Sequence, residues 1–127
     1  MTMRTVALAI VVLAGCAHVG GPDAKAAAAT LARLRCAHGL LAEWQGEPRR
    51  DLVLALADSC PTERACMEGL AEIAARSMAV HVAIEAGYRA VKAHAQGDEA
   101  AIVAADVAGL TAREGLRSLG VDVERCR

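Results

Sequence analysis

Residues 60–95 read CPTERACMEGLAEIAARSMAVHVAIEAGYRAVKAHA, and this stretch decides the fold. Within it Leu70, Ile73, Ser77, Val80, Ile84, Gly87 and Val91 recur at alternating steps of three and four. That is the period of one face of an α-helix. Cys60-Pro61 opens the segment, with Glu63 favourable in a first turn, and Gly97-Asp98 ends it near Ala95. Gly69 and Gly87 lie inside the helix, where each costs about 1 kcal/mol relative to alanine. A close neighbouring helix is the expected reason for tolerating them.

Working outward, the same reading gives helices on both sides. Gly21-Pro22-Asp23 opens a first helix that Gly46 closes, with Pro48 marking the break. Its expected dry stripe is Ala27, Leu31, Leu34, His38 and Leu41. A short helix is expected from about Arg49 to Ser59. A last one should start at Asp98 as N-cap and close at Leu119-Gly120, leaving 121–127 as a tail. In that last helix Val103, Val107 and Leu110 are expected to face the core, with Ile102, Leu116 and Leu119 widening the face. Gly109 and Gly115 lie inside it. No strand longer than 121–123 is expected. The predicted fold is all-α: a small antiparallel bundle of three main helices and one short one.

Composition bounds the function. The chain has 127 residues, enough for one domain, and a net charge of −1. A neutral balance argues against a nucleic-acid partner, which needs a basic face. A charged fraction of 23% argues against a polytopic membrane protein. Although 55% of the residues are hydrophobic, 30 are alanine and none is Phe, so the expected core is thin.

The N-terminus carries an address. Arg4 precedes an eight-residue apolar run, Val6 to Leu13, and small residues follow. That is the pattern of a secretory signal, too short to span a bilayer. Leu13-Ala14-Gly15-Cys16 resembles the lipobox of bacterial lipoproteins. The resemblance implies removal of residues 1–15 and acylation of Cys16. Residues 16–21 become a short lipidated tether, and 22–127 the single domain. Ala17 stands where an Asp often retains lipoproteins at the inner membrane, so the implied location is the outer membrane, facing the periplasm, in a diderm host. More than one acyl chain is needed for a stable hold on a membrane.

Export places the remaining cysteines, Cys36, Cys60, Cys66 and Cys126, in an oxidising compartment, where two disulfides are expected. Three pairings are possible. If Gly46-Glu47-Pro48 and Gln96-Gly97-Asp98 are hairpin turns, Cys36–Cys60 and Cys66–Cys126 lie at matching depths, and this pairing is favoured. Cys60–Cys66 fits less well, because six residues along a helix are about 9 Å apart and a disulfide needs Cα atoms within roughly 7 Å. Cys36–Cys66 with Cys60–Cys126 stays open. The five-residue gap between Cys60 and Cys66 argues against a redox pair, for which Cys-x-x-Cys is the usual spacing.

Catalytic signals are lacking. Ser77 and His81 are four apart without an elbow motif or acid partner, and Glu68 and Glu72 read as a solvated face. Met78 and His81 share a helix face and are the weak metal candidate; no cofactor is expected. Leu40 and Trp44 are the candidate partner anchors, with Trp44 alternatively plugging the bundle against Leu52 and Leu56. The expected function is therefore non-catalytic: a lipoprotein held to the bilayer through Cys16 that binds another envelope protein or serves a structural role. The alternative is a periplasmic small-molecule or metal binder. Size and address resemble those of secretion pilotins, small lipidated helical proteins; that is fold-level analogy and assigns no site.

Overall fold

The computed structural model describes residues 22–126; the signal segment, Cys16 and the tether lie outside them. The protein is all-α. Helices α1 (Pro22–Trp44), α2 (Glu47–Ser59), α3 (Glu63–Ala95) and α4 (Ala101–Ser118) are followed by a 3-10 turn, Val123–Cys126. No strand occurs among the described residues. Thr62 caps α3 by accepting a hydrogen bond from the Ala65 amide (3.1 Å). α4 starts two residues later than an Asp98 N-cap implies, at Ala101. Asp98 is not its side-chain cap; the Asp98 carbonyl instead accepts from the Ala101 amide.

α3 is the spine, and both flanking segments run against it. Leu34 lies beside Gly87, His38 beside Tyr88, and Leu56 beside Gly69. From Leu34 on α1 to Leu56 on α2 the contact on α3 steps back from Gly87 to Gly69, so α1 and α2 together run antiparallel to α3. Gly46 is thus an offset between two segments of the same sense, and the first chain reversal comes at Cys60–Thr62. On the other side α4 returns along α3, its Gly115 against Val80 and its Ser118 carbonyl accepting from Arg76 (3.2 Å).

The core lies where α1, α3 and α4 meet. Leu34, Leu41, Val80 and Leu116 are almost wholly buried, with Leu40, Trp44, Ile84 and Val123 around them. α2 has no buried residue and covers the overhanging start of α3, leaving Met67 and Leu70 exposed. A methyl group at Gly87 would come within 2.5 Å of Leu34 Cδ2, and one at Gly115 within 2.5 Å of Val80 Cγ2. Close packing therefore accounts for both glycines.

The disulfides are Cys36–Cys126 and Cys60–Cys66, not the pairs expected from hairpin symmetry. Two assumptions fail. Because α1 and α2 run the same way, Cys36 and Cys60 are separated along the bundle by on the order of 30 Å. α4 also stops well before Cys126. Gly120, at φ +80°, closes it in a Schellman motif, with the Gly120 amide on the Arg117 carbonyl and the Val121 amide on the Leu116 carbonyl. The chain then doubles back over α1. Val123 enters the core, Cys126 reaches Cys36 with Cα atoms 5.7 Å apart, and Arg125 clamps both carboxylate oxygens of Glu43. That hydrogen bond, and then the Glu43 charge, hold the Arg125 guanidinium above its ordinary pKa. Cys60–Cys66 closes because α3 begins at Glu63 rather than Pro61. Cys60 is extended, and the Cα atoms are 5.4 Å apart.

Candidate functional site

α4 faces the reverse of what residue size implies. Its buried residues are Ala101, Ala105, Ala112 and Leu116, and Ala105 and Ala112 are fully enclosed. Opposite them, Val103, Val107 and Leu110 are 65%, 57% and 63% exposed. The expectation that these three build the core is wrong. The cause is the close packing of α4 on α3, where a methyl group at Gly115 would come within 2.5 Å of Val80 Cγ2. Helix axes approach to the short end of the usual 8–10 Å only where contact residues are small. Ala112 on α4 shares the buried cluster with Val80 and Ala83 on α3, Gly115 lies against Val80, and Val103, Val107 and Leu110 are turned outward.

The outward stripe follows a helical step, i, i+4, i+7, along a helix of 18 residues, about 27 Å long. Exposed Ala104 and Thr111 border it on the side toward α3, and neither carries charge. On α3 the adjoining flank continues with exposed Ala79, Val82 and Ala86. Asp106 and Arg113 border the opposite edge. Monomeric proteins rarely leave a contiguous apolar face of this kind uncovered. Burying a Val or Leu side chain contributes about 1.5–3 kcal/mol, so a covering partner would gain several kcal/mol from the three.

The other candidate residues fall elsewhere. Leu40 and Trp44 are 5% and 3% exposed and belong to the core cluster. They plug the bundle and are not surface anchors. α1 turns the face that carries Trp44 onto Val80 and Ile84 of α3 and Leu116 of α4. Met78 is exposed, and His81 pairs with Glu85, its Nε2 3.2 Å from Oε1. Among the described residues no group of three or more His, Cys, Asp or Glu side chains is placed to hold a metal ion. Ser77 and Glu68 form no catalytic array; Glu68 pairs with Arg64 and Glu72 with Arg76. Cys16 lies outside the described residues. No helix among the described residues is long and apolar enough to cross a membrane.

Comparison of the chain with family models, with curated proteins and with solved structures finds no match.

Proposed function

We propose that the chain is a lipid-anchored envelope protein with a non-catalytic role, binding another protein through the outer face of α4. The observation that carries the reading is the outward stripe of Val103, Val107 and Leu110, set on a helix whose own core contacts are met by alanine. An uncharged helical face on the partner matches it, since no charged residue interrupts the stripe between Val103 and Leu110 on its α3 side. The anchor rests on the lipobox resemblance at Leu13–Cys16. Thr30 of α1 bonds Asp106 of α4, so a short tether entering α1 would hold the Val103 end of the stripe toward the bilayer.

Two variants separate anchor from docking. Cys16→Ser is expected to move the protein from the membrane fraction to the soluble fraction; unchanged membrane fractionation contradicts the anchor. Val103→Asp with Val107→Asp is expected to leave thermal stability nearly unchanged, because exposed positions typically shift folding by no more than about 0.5 kcal/mol. The same pair should remove the protein that co-purifies with the anchored wild type. Retention of that partner by the folded double variant contradicts the docking face, and a partner identified as the chain itself replaces a heterologous role with self-association.

A further inference from the structure

α2 is the least secured element of the bundle. It has no buried residue, and Leu52 and Leu54 are 40% and 57% exposed. Among the described residues no hydrogen bond or ion pair joins its side chains to another helix: Arg50 pairs with Glu47, and Ser59 donates to the Leu56 carbonyl. Clefts flank it on both sides. One, of about 420 Å³, separates it from Leu40 and Trp44 of α1 and from the tail; the other, of about 520 Å³, separates it from Ile73 of α3 and from Leu119. Leu52, Leu119 and Gly120 line both clefts, so the two adjoin. The charged residues along them pair with one another, Glu43 with Arg125 and Glu72 with Arg76, and do not engage α2. Its close seat is Leu56 on Gly69, where a Cβ would stand 2.8 Å from both Leu56 methyl carbons. Elements with few buried apolar side chains open at the lowest free energy.

The far end of α2 is fixed covalently. Cys60 follows its last residue, Ser59, and is joined to Cys66 at the end of the first turn of α3. The bridge closes the chain reversal at 60–62 and so sets the angle at which Leu56 meets Gly69. Thr62 caps α3 through the Ala65 amide without either sulfur, so the start of α3 does not need the bridge. The two disulfides also sit differently. Cys36 and Cys126 pack against the core cluster, and Cys60 and Cys66 lie outside it. Exchange with an external thiolate depends on access to the sulfur, which favours the peripheral bridge.

We propose that Cys60–Cys66 is a reducible clasp: its reduction by a dithiol releases α2 while the bundle of α1, α3 and α4 stays folded. One thiolate of the dithiol attacks a clasp sulfur, the Cys60–Cys66 bond breaks, and the other cysteine leaves as a thiolate. The second thiolate of the dithiol then displaces the attacked cysteine. The dithiol ends as a disulfide, two electrons pass to the clasp, and the two protons given up by the dithiol end on Cys60 and Cys66. Release uncovers the apolar surface of Leu40, Trp44, Ile73 and Leu119. The clasp is a switch and not a catalytic pair, in keeping with its five-residue gap. The proposal depends neither on the docking face of α4 nor on the lipid anchor.

The test uses the full chain with Cys16→Ser, which leaves the four bridged cysteines as the only ones. Brief treatment with dithiothreitol in native buffer, then alkylation and peptide mapping, should find Cys60 and Cys66 modified while Cys36–Cys126 is intact. At that stage amide exchange over 47–59 should rise about tenfold or more, and acrylamide quenching of Trp44, the only tryptophan, about twofold or more. Exchange in the middle of α3 and α4, around Val80 and Ala112, should not change. Reoxidation should restore both signals. Cys60→Ser with Cys66→Ser should show the released values without reductant, and reduction of the bridged protein decides the matter if that variant does not fold. Simultaneous loss of both bridges, resistance of Cys60–Cys66, unchanged exchange over 47–59 or unchanged Trp44 quenching after selective reduction, or a rise in exchange throughout the bundle would each overturn the proposal.

Discussion

Replacing Trp44 with alanine is expected to destabilise the protein by about 3–5 kcal/mol, the usual cost of truncating a large buried aromatic side chain. Trp44 is 3% exposed and packs in the cluster with Leu40, Leu41, Val80 and Leu119. The cost is large because few other residues could compensate. Trp44 and Tyr88 are the only aromatic residues in the chain, and much of the remaining interior is alanine. Total stabilities of about 5–15 kcal/mol are typical, so the variant should be close to unfolding at body temperature. Urea denaturation followed by circular dichroism at 222 nm reads the effect without relying on the lost tryptophan fluorescence. A surface anchor would behave otherwise: its removal would shift folding by no more than about 0.5 kcal/mol and act on partner binding alone.

The second large effect concerns the C-terminal staple. Cys36–Cys126 spans 90 residues and Cys60–Cys66 spans six. Crosslinks restrict the unfolded chain in proportion to the logarithm of loop length. On that basis Cys126→Ser with Cys36→Ser should cost about 4–5 kcal/mol, and Cys60→Ser with Cys66→Ser about 2 kcal/mol. Loss of the long bridge also frees the 3-10 turn that carries Val123 into the core and Arg125 to Glu43. Denaturation under non-reducing conditions should therefore rank the two double variants clearly. Equal losses, or an unreduced peptide map joining Cys36 to Cys60, would contradict the arrangement of tail and helices.

The elements themselves were legible because their punctuation is chemical. Pro48, Gly97 and Gly120 fall at helix breaks, and the stripe through Val80 and Ile84 does face the core. The direction of α2 was not legible. Gly46 and Pro48 end a helix whether the chain reverses or merely shifts aside, and only tertiary packing of Leu56 on Gly69 distinguishes the two. The disulfide pairing expected from hairpin symmetry rests on that direction and on a last helix that carries on to Cys126, and neither holds. The site was legible in its residues and inverted in its meaning. Val103, Val107 and Leu110 form a regular apolar stripe, and a rule that ranks core residues by size puts them inside. Ala101, Ala105 and Ala112 form an equally regular stripe. Two stripes on opposite sides of one helix cannot be ranked without the distance to α3, and that distance is fixed by Gly115, Val80 and Ala83. The role of each helical glycine was beyond reach for a related reason: a glycine in a helix reads the same whether a neighbour presses on it, as at Gly87, or space is left open, as at Gly109.

The docking face is the central claim, and photocrosslinking from single sites in living cells tests it most directly. A photoreactive side chain at position 107 sits in the middle of the stripe, and one at position 64 sits on the charged, exposed start of α3. The expected result is one discrete adduct to a defined protein from position 107, lost when Val103→Asp is added, and none from position 64. Adducts of equal yield from both positions, or none from position 107 in protein that is folded and expressed at wild-type level, would contradict it.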